Sequence, residues 1–239
     1  MAVERIRLGI QGQDNREIVE GSSHPWRTIG RVNNAGRGFC TGVLIGPQKV
    51  LTAAHCLRSK RGPGGMAPAA DIHFLAGYSR GDYLAHSRAV SVSRSRSRSV
   101  KKQTADDWAI ITLVKPLGKI IGFLQLEKFG PKAWRKDKNR MQLYTQAGYS
   151  HDRAHVLTRH RKCEITGIFA GLLTFSHQCD ATHGDSGSPI LVKGGSAYSI
   201  VGLHVASSRK KAFGVAIAAG HIHALLPGLT QRPAALSQR

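Results

Sequence analysis

Residues 39–56 read FCTGVLIGPQKVLTAAHC, and this stretch decides the fold. Its two runs, FCTGVLIG and KVLTAAHC, are strand-length and rich in β-formers, with Gly46-Pro47 between them as a turn signal. Two such runs around a breaker make an antiparallel hairpin, here flanked by Cys40 and Cys56. The same grammar continues outward in TIGRV, IHFLAGY, AVSVS, WAIITLV, YTQAGYS, KCEITGIF, SPILV, YSIVGLHVA and FGVAIAA, with further breakers at Gly130-Pro131 and Gly194-Gly195. Many short strands at this spacing imply an all-β sandwich or barrel, not a βαβ sheet. One helical pattern, His221 to Leu226, closes the chain and is stopped by Pro227-Gly228.

A chain of 239 residues is long enough for one large all-β domain or two small ones, each with its own core. No run of 18 apolar residues occurs, so no helical membrane span is expected. Thirty-five Lys and Arg against 14 Asp and Glu give a formal charge of +21, a field that attracts polyanions weakly and generally. The basic residues are scattered, which favours a basic solvated surface over a dedicated nucleic-acid site. The one dense patch, SVSRSRSRS at 91–99, carries no interleaved aromatics and lies between strand-like runs. It reads as a basic surface loop or a β-ribbon edge, with RNA binding ranked well below.

Cys163 and Cys179 flank a second apolar hairpin as Cys40 and Cys56 flank the first. No CxxC pair occurs, which argues against a zinc ribbon or a thioredoxin-like site and for two local disulfides made in an oxidising compartment. A secreted or periplasmic location is expected on that ground, although the opening MAVERIRLGIQGQDNRE has no apolar core of a signal peptide, which leaves the export route open. Residues 1–17 are expected to form an exposed N-terminal segment or pro-piece.

Three segments together carry chemistry. Leu51-Thr52-Ala53-Ala54-His55-Cys56 presents a histidine on a small-residue turn. Asp106-Asp107-Trp108-Ala109-Ile110 leads acids into an apolar strand, and Gly184-Asp185-Ser186-Gly187-Ser188-Pro189 flanks a serine with glycines. A serine hydroxyl needs a base to take its proton, and the base needs a carboxylate to hold its tautomer. The glycines allow a tight turn in which the N–H groups of Gly184 and Ser186 point at a developing oxyanion. Each motif alone has an ordinary explanation: a packed histidine, a tight turn, a capping acid. Their occurrence together in the order His–Asp–Ser does not.

TAAHC, DDWAI and GDSGSP resemble the three signature blocks of trypsin/chymotrypsin-like serine peptidases, and the similarity runs from about Trp26 to Leu226. CDATHGDSGSP is most similar to the corresponding block of the bacterial glutamyl endopeptidase branch. The resemblance implies two six-stranded antiparallel β-barrels with a short C-terminal helix and a site in the crevice between them. It places 18–115 in the first barrel, 116–228 in the second and 229–239 in a tail. It further implies disulfides Cys40–Cys56 and Cys163–Cys179, and His55, Asp107 and Ser186 as triad, with Asp106 the fallback acid. Val205, Ala206 and Ser207 would offer backbone to a substrate strand.

Two residues point to opposite substrates. Asp180, six before Ser186, matches the pocket acid of enzymes that take Lys or Arg, while His204 matches the histidine with which the glutamyl branch holds a substrate carboxylate. That branch's hydroxyl residue five before the serine is Ala181 here, with Thr182 next to it as a substitute. Asp185 stands where zymogen-type enzymes bind a newly freed amine, and Ile18-Val19-Glu20-Gly21 resembles the start of a mature chain, so cleavage between Glu17 and Ile18 is an open expectation. His151, His155, His160, His221 and His223 read as surface histidines; no metal or other cofactor is expected. The expected function is a monomeric serine endopeptidase acting on polypeptides. The alternative is a non-catalytic module on the same scaffold that binds polyanions.

Overall fold

The computed structural model describes residues 9–10, 12–35, 38–59, 65–95, 104–139, 141–169, 171, 173–208 and 213–226. The first barrel is built from β2 (Ile29–Asn34), β3 (Gly38–Leu44), β4 (Lys49–Ala53), β5 (Ile72–Ala76), β6 (Ala85–Arg94) and β7 (Trp108–Leu113). It closes in the order β2-β3-β4-β7-β6-β5, all antiparallel. Period-two alternation fills it: Leu44, Val50, Phe74, Ile111 and Leu113 point into the barrel. Their strand neighbours Val43, Leu51 and Ile110 point the other way, into a second core shared with the other half of the molecule.

The other half is a sheet of β9 (Tyr144–Gly148), β10 (Thr158–Cys163), β11 (Ile165–Phe169), β12 (Thr174–His177), β13 (Pro189–Gly194), β14 (Ala197–Ser207) and β15 (Gly214–Ala218). Its path runs β10-β9-β13-β14-β15-β12-β11. Only Glu164 separates β10 from β11: Cys163 pairs with Tyr144 of β9 and Ile165 with His177 of β12, so one bent strand joins the ends of the path. Alternation again divides the side chains. Ile190, Val201 and Ala216 face this sheet's own core, while Leu191, Leu203 and Ile217 join the shared one. The all-β, two-barrel expectation matches this architecture, with the first barrel closed and the second a wrapped sheet.

Several elements differ from the sequence reading. Residues 14–18 are not an exposed leader: β1 (Arg16–Ile18) pairs with Thr158–His160 of β10, and Arg16 is buried. The N-terminal strand therefore belongs with the second sheet, although a boundary at residue 18 assigned its last residue to the first barrel. Helices α1 (Leu117–Ile121) and α2 (Pro131–Asn139) add to the expected closing helix, which forms as α3 (Ala219–Ala224). Gly130-Pro131, read as a plain turn, instead opens α2, because proline at the first helical position loses no hydrogen bond. The short β8 (Gln125–Leu126) pairs in parallel with β14. Of the Arg-Ser stretch, residues to Arg94 lie in β6; 96–103, like the tail after 226, lie outside the described residues.

Both expected disulfides are present, Cys40–Cys56 and Cys163–Cys179. The first ties β3 to the turn carrying His55. Each spans 16 positions, a closure that restricts the unfolded chain by about 3 kcal/mol.

Candidate active site

Strand register brings His55 and Asp107 together. Ala53, the end of β4, pairs with Trp108, the start of β7. The chain leaves β4 into a short 3-10 turn, Ala54–Leu57, and enters β7 from Asp107, so the two polar residues meet at one end of the barrel. His55 Nδ1 lies 2.6 Å from Asp107 Oδ2, and Asp107 Oδ1 accepts the His55 backbone N–H at 2.8 Å. The Asp107 carbonyl accepts from Ala54 N–H at 3.1 Å, which fixes the turn from the other side. Of the adjacent acids only Asp107 is so placed; Asp106 accepts from Ser95 Oγ.

Ser186 comes from the loop between β12 and β13. Thr41 on β3 stitches this loop to the first barrel: its N–H donates to the Ser186 carbonyl and its hydroxyl to the Gly184 carbonyl, both at 3.0 Å. Gly187 takes φ +85°, and a Cβ there would sit 2.2 Å from the Thr41 carbonyl oxygen, so a glycine is required. Gly187 N–H and the His204 carbonyl bond at 2.8 Å. Among the described residues the N–H groups of Gly184 and Ser186 find no backbone acceptor, the condition for serving a ligand. His55 and Ser186, from opposite barrels, line one continuous cleft. Cys40, His55 and Cys56 cluster their donor atoms, but the two sulfurs are bonded to each other and offer no thiolate.

One arm of the cleft is lined by Thr182, His183, His204, Val205, Ala206 and Ser207. His204 is buried, and its orientation is set by a chain of hydrogen bonds. Cys179 N–H donates to His177 Nδ1 (3.2 Å), so the His177 proton sits on Nε2 and is given to His204 Nδ1 (2.9 Å). His204 Nε2 is thereby left as a donor. Burial, then the nearby His55, pushes the His204 pKa down to about 3, and burial holds His177 well below the ordinary histidine range. Thr182, proposed as the missing hydroxyl donor, gives its proton to Asp152 Oδ1, and Ser207 gives its own to the Ala181 carbonyl.

Asp180 does not reach this arm. It is buried, its Oδ2 accepts from Asn15 N–H at 2.9 Å, and its own N–H donates to His160 Nδ1 at 2.8 Å. That same nitrogen lies 3.2 Å from Asp180 Oδ2, but having accepted the amide proton it has none to give. The reading of Asp180 as a substrate acid is therefore corrected: it anchors the N-terminal segment. His160, expected on the surface, is buried with it. The other arm of the cleft contains Asn34, Phe39, Arg58, His151 and His183, of which the sequence reading marked only His151, and that as a surface histidine.

The depressed His204 pKa makes stability depend on pH. The unfolded histidine takes up a proton below about 6.5 and the folded one only near 3, so stability is complete above 6.5 and falls as the solution is acidified. The His204 contribution lost by pH 4 is about 3 kcal/mol. Urea midpoints at pH 7 and pH 4 measure it, and His204→Leu is expected to flatten the difference.

A trypsin-family profile matches residues 15–224. The chain belongs to the trypsin family. This trypsin-family fold is similar to that of a Glu endopeptidase solved in complex with MPD, at 19% identity and a TM-score of 0.71 over 91% of this chain and 99% of that one. It is also similar to the protease Anisep from Arthrobacter nicotinovorans (16%, 0.64, 85% and 93%) and to the Vibrio cholerae VesB protease (19%, 0.65, 89% and 66%).

Proposed function

We propose that this trypsin-family chain is a serine endopeptidase that cuts peptide bonds after glutamate by way of an acyl-enzyme on Ser186. The observation that carries the reading is the His55–Asp107 pair, clamped through both side chain and backbone at the mouth of the cleft that Ser186 lines. Asp107 holds the His55 proton on Nδ1, which leaves Nε2 to accept the Ser186 hydroxyl proton as Oγ attacks the substrate carbonyl carbon. The N–H groups of Gly184 and Ser186 stabilise the resulting oxyanion, each by about 3–4 kcal/mol. His55 then protonates the departing amine as the C–N bond breaks. Water, deprotonated by the same imidazole, hydrolyses the ester.

A glutamate side chain is favoured because the arm beside Ser186 is lined by a neutral histidine donor, with no carboxylate among the described residues that line it. Val205–Ser207 line that arm and offer the substrate an added strand. The two disulfides suit work in an oxidising compartment, as in a secreted or periplasmic enzyme. A polyanion-binding module would account for the +21 charge but not for the His55–Asp107 pair. The test is a fluorogenic peptide panel differing only in the residue before the scissile bond. Cleavage after Glu is expected to exceed cleavage after Lys or Arg by at least about 10²-fold. Preference for a basic residue, or no cleavage of any peptide, overturns the proposal.

A further inference from the structure

Asp185 is fully buried one residue before Ser186, and the amine that a cut at Glu17–Ile18 would free is not what faces it. Its Oδ2 accepts from Ser150 Oγ (2.5 Å) and from Thr182 N–H (2.8 Å), and its Oδ1 from Gln146 Nε2 (3.2 Å). All three donors are neutral. Behind Ser150 stands a cation: Arg16 Nη1 donates to Ser150 Oγ at 2.8 Å. The Arg16 side chain is wholly buried, and its fork is held by Asp14 (2.9 and 2.8 Å) and Asp152 (3.0 and 2.6 Å). Arg153 locks the arrangement by bonding the Arg16 carbonyl and Asp14. Burying a guanidinium is costly, and this one is matched by ion pairs and hydrogen bonds on every side. The Glu17–Ile18 bond, meanwhile, lies inside β1, with Ile18 59% exposed.

We propose that Arg16 is a positioning residue for the nucleophile loop, acting through Ser150 on the Asp185 carboxylate, so that the chain uncut at Glu17–Ile18 is the competent form. The proposal rests on the reading of Ser186 as the nucleophile of a peptidase. Burial holds the Asp185 pKa above the ordinary carboxylate range, against the opposing pull of Ser150, the Thr182 amide, Arg16 and Gln146. The Asp185 side chain keeps the turn from Thr182 to Ser188 closed through its contact with Thr182 N–H, beside the backbone bonds Asp185 N–H to Thr182 and Ser188 N–H to Asp185. That turn sets the directions of the Gly184 and Ser186 amides. Cleavage after Glu17 would put Arg16 on the released side of the cut, and so would loosen the loop.

The experiment compares wild type with Ser150→Ala and Arg16→Gln on the full chain, by amide exchange of Thr182, Asp185 and Ser188 and by steady-state kinetics. Ser150→Ala leaves the Asp14 and Asp152 pairs of Arg16 intact, so it remains informative if Arg16→Gln fails to fold. Expected are about tenfold faster exchange confined to the loop and a fall in kcat on the order of 10²-fold with KM little changed. In an Asp185→Asn background, Arg16→Gln is expected to add less than threefold. Unchanged loop exchange in Ser150→Ala, additive losses in the double variant, or a gain of activity on cutting Glu17–Ile18 each overturn the proposal. A wild type that cuts no peptide overturns the peptidase reading instead, and the exchange data still decide whether Arg16 holds the loop.

Discussion

Ser186→Ala is expected to lower kcat about 10⁶-fold, and Asp107→Asn about 10⁴-fold, with KM for a good peptide changed little in either. The first removes the attacking atom. The second keeps the shape of the site and changes the proton. Asp107 Oδ2 lies 2.6 Å from His55 Nδ1, and as a carboxylate it can only accept there, so the His55 proton is held on Nδ1 and Nε2 is free. An asparagine amide can turn its NH₂ toward Nδ1, driving the proton to Nε2, where it blocks transfer from Ser186. Asp107 Oδ1 also accepts the His55 backbone N–H, a contact the asparagine oxygen can retain, so the turn stays folded. Single-turnover measurement of acylation with an activated ester separates the two variants: Ser186→Ala gives no acyl-enzyme, while Asp107→Asn gives one slowly. Wild-type rates of acylation in Asp107→Asn would sink the assignment of Asp107.

The pairing of His55 with Asp107 was legible because its parts are local. TAAHC and DDWAI each announce a strand end, and the Ala53–Trp108 register joins those ends. The hairpins around Gly46-Pro47 and Gly194-Gly195 were readable for the same reason: breakers interrupt period-two runs, and Gly195 adopts φ +61° in the turn. What could not be read depends on partners far away in sequence. Thr174–His177 lacks the look of a strand because Ser176 and His177 are polar. Yet all four residues are buried, Ser176 sharing a hydrogen bond with Thr166 and His177 with His204. Asp180 carried a familiar spacing, but a spacing does not say which way a carboxylate faces, and Asn15 from 165 residues away claimed it. Arg16 sat in a stretch without periodicity; its burial follows from Asp152 and Ser150, which no local pattern connects to it.

Selectivity for glutamate is expected to collapse when the buried histidine chain is cut. His204→Leu is expected to lower kcat/KM for a peptide with Glu before the scissile bond about 10³-fold, while a peptide with Leu there changes less than tenfold. A substrate carboxylate in the arm beside Ser186 loses its water. It is held only if a protein donor replaces that water, and unpaired there it is rejected far more strongly than an apolar side chain. On the proposed reading His204 Nε2 is that donor, since His177 gives its own proton to His204 Nδ1, and His177 can do so because Cys179 N–H occupies its other nitrogen. The order of the chain fixes the size of the next effects. His177→Phe removes the donor that sets the His204 tautomer, so the Glu preference is expected to fall by about tenfold to 10²-fold with the pocket still filled. Gly214→Ala is expected to act on the same ring, since a Cβ there would stand 2.3 Å from His177 Cε1 and must displace it. Ratios of kcat/KM for Glu, Gln and Leu peptides across these variants measure the chain directly. If His204→Leu keeps the wild-type ratio of Glu to Leu, the carboxylate is recognised elsewhere, and the other basic side chains that line the cleft, Arg58, His151 and His183, become the groups to vary.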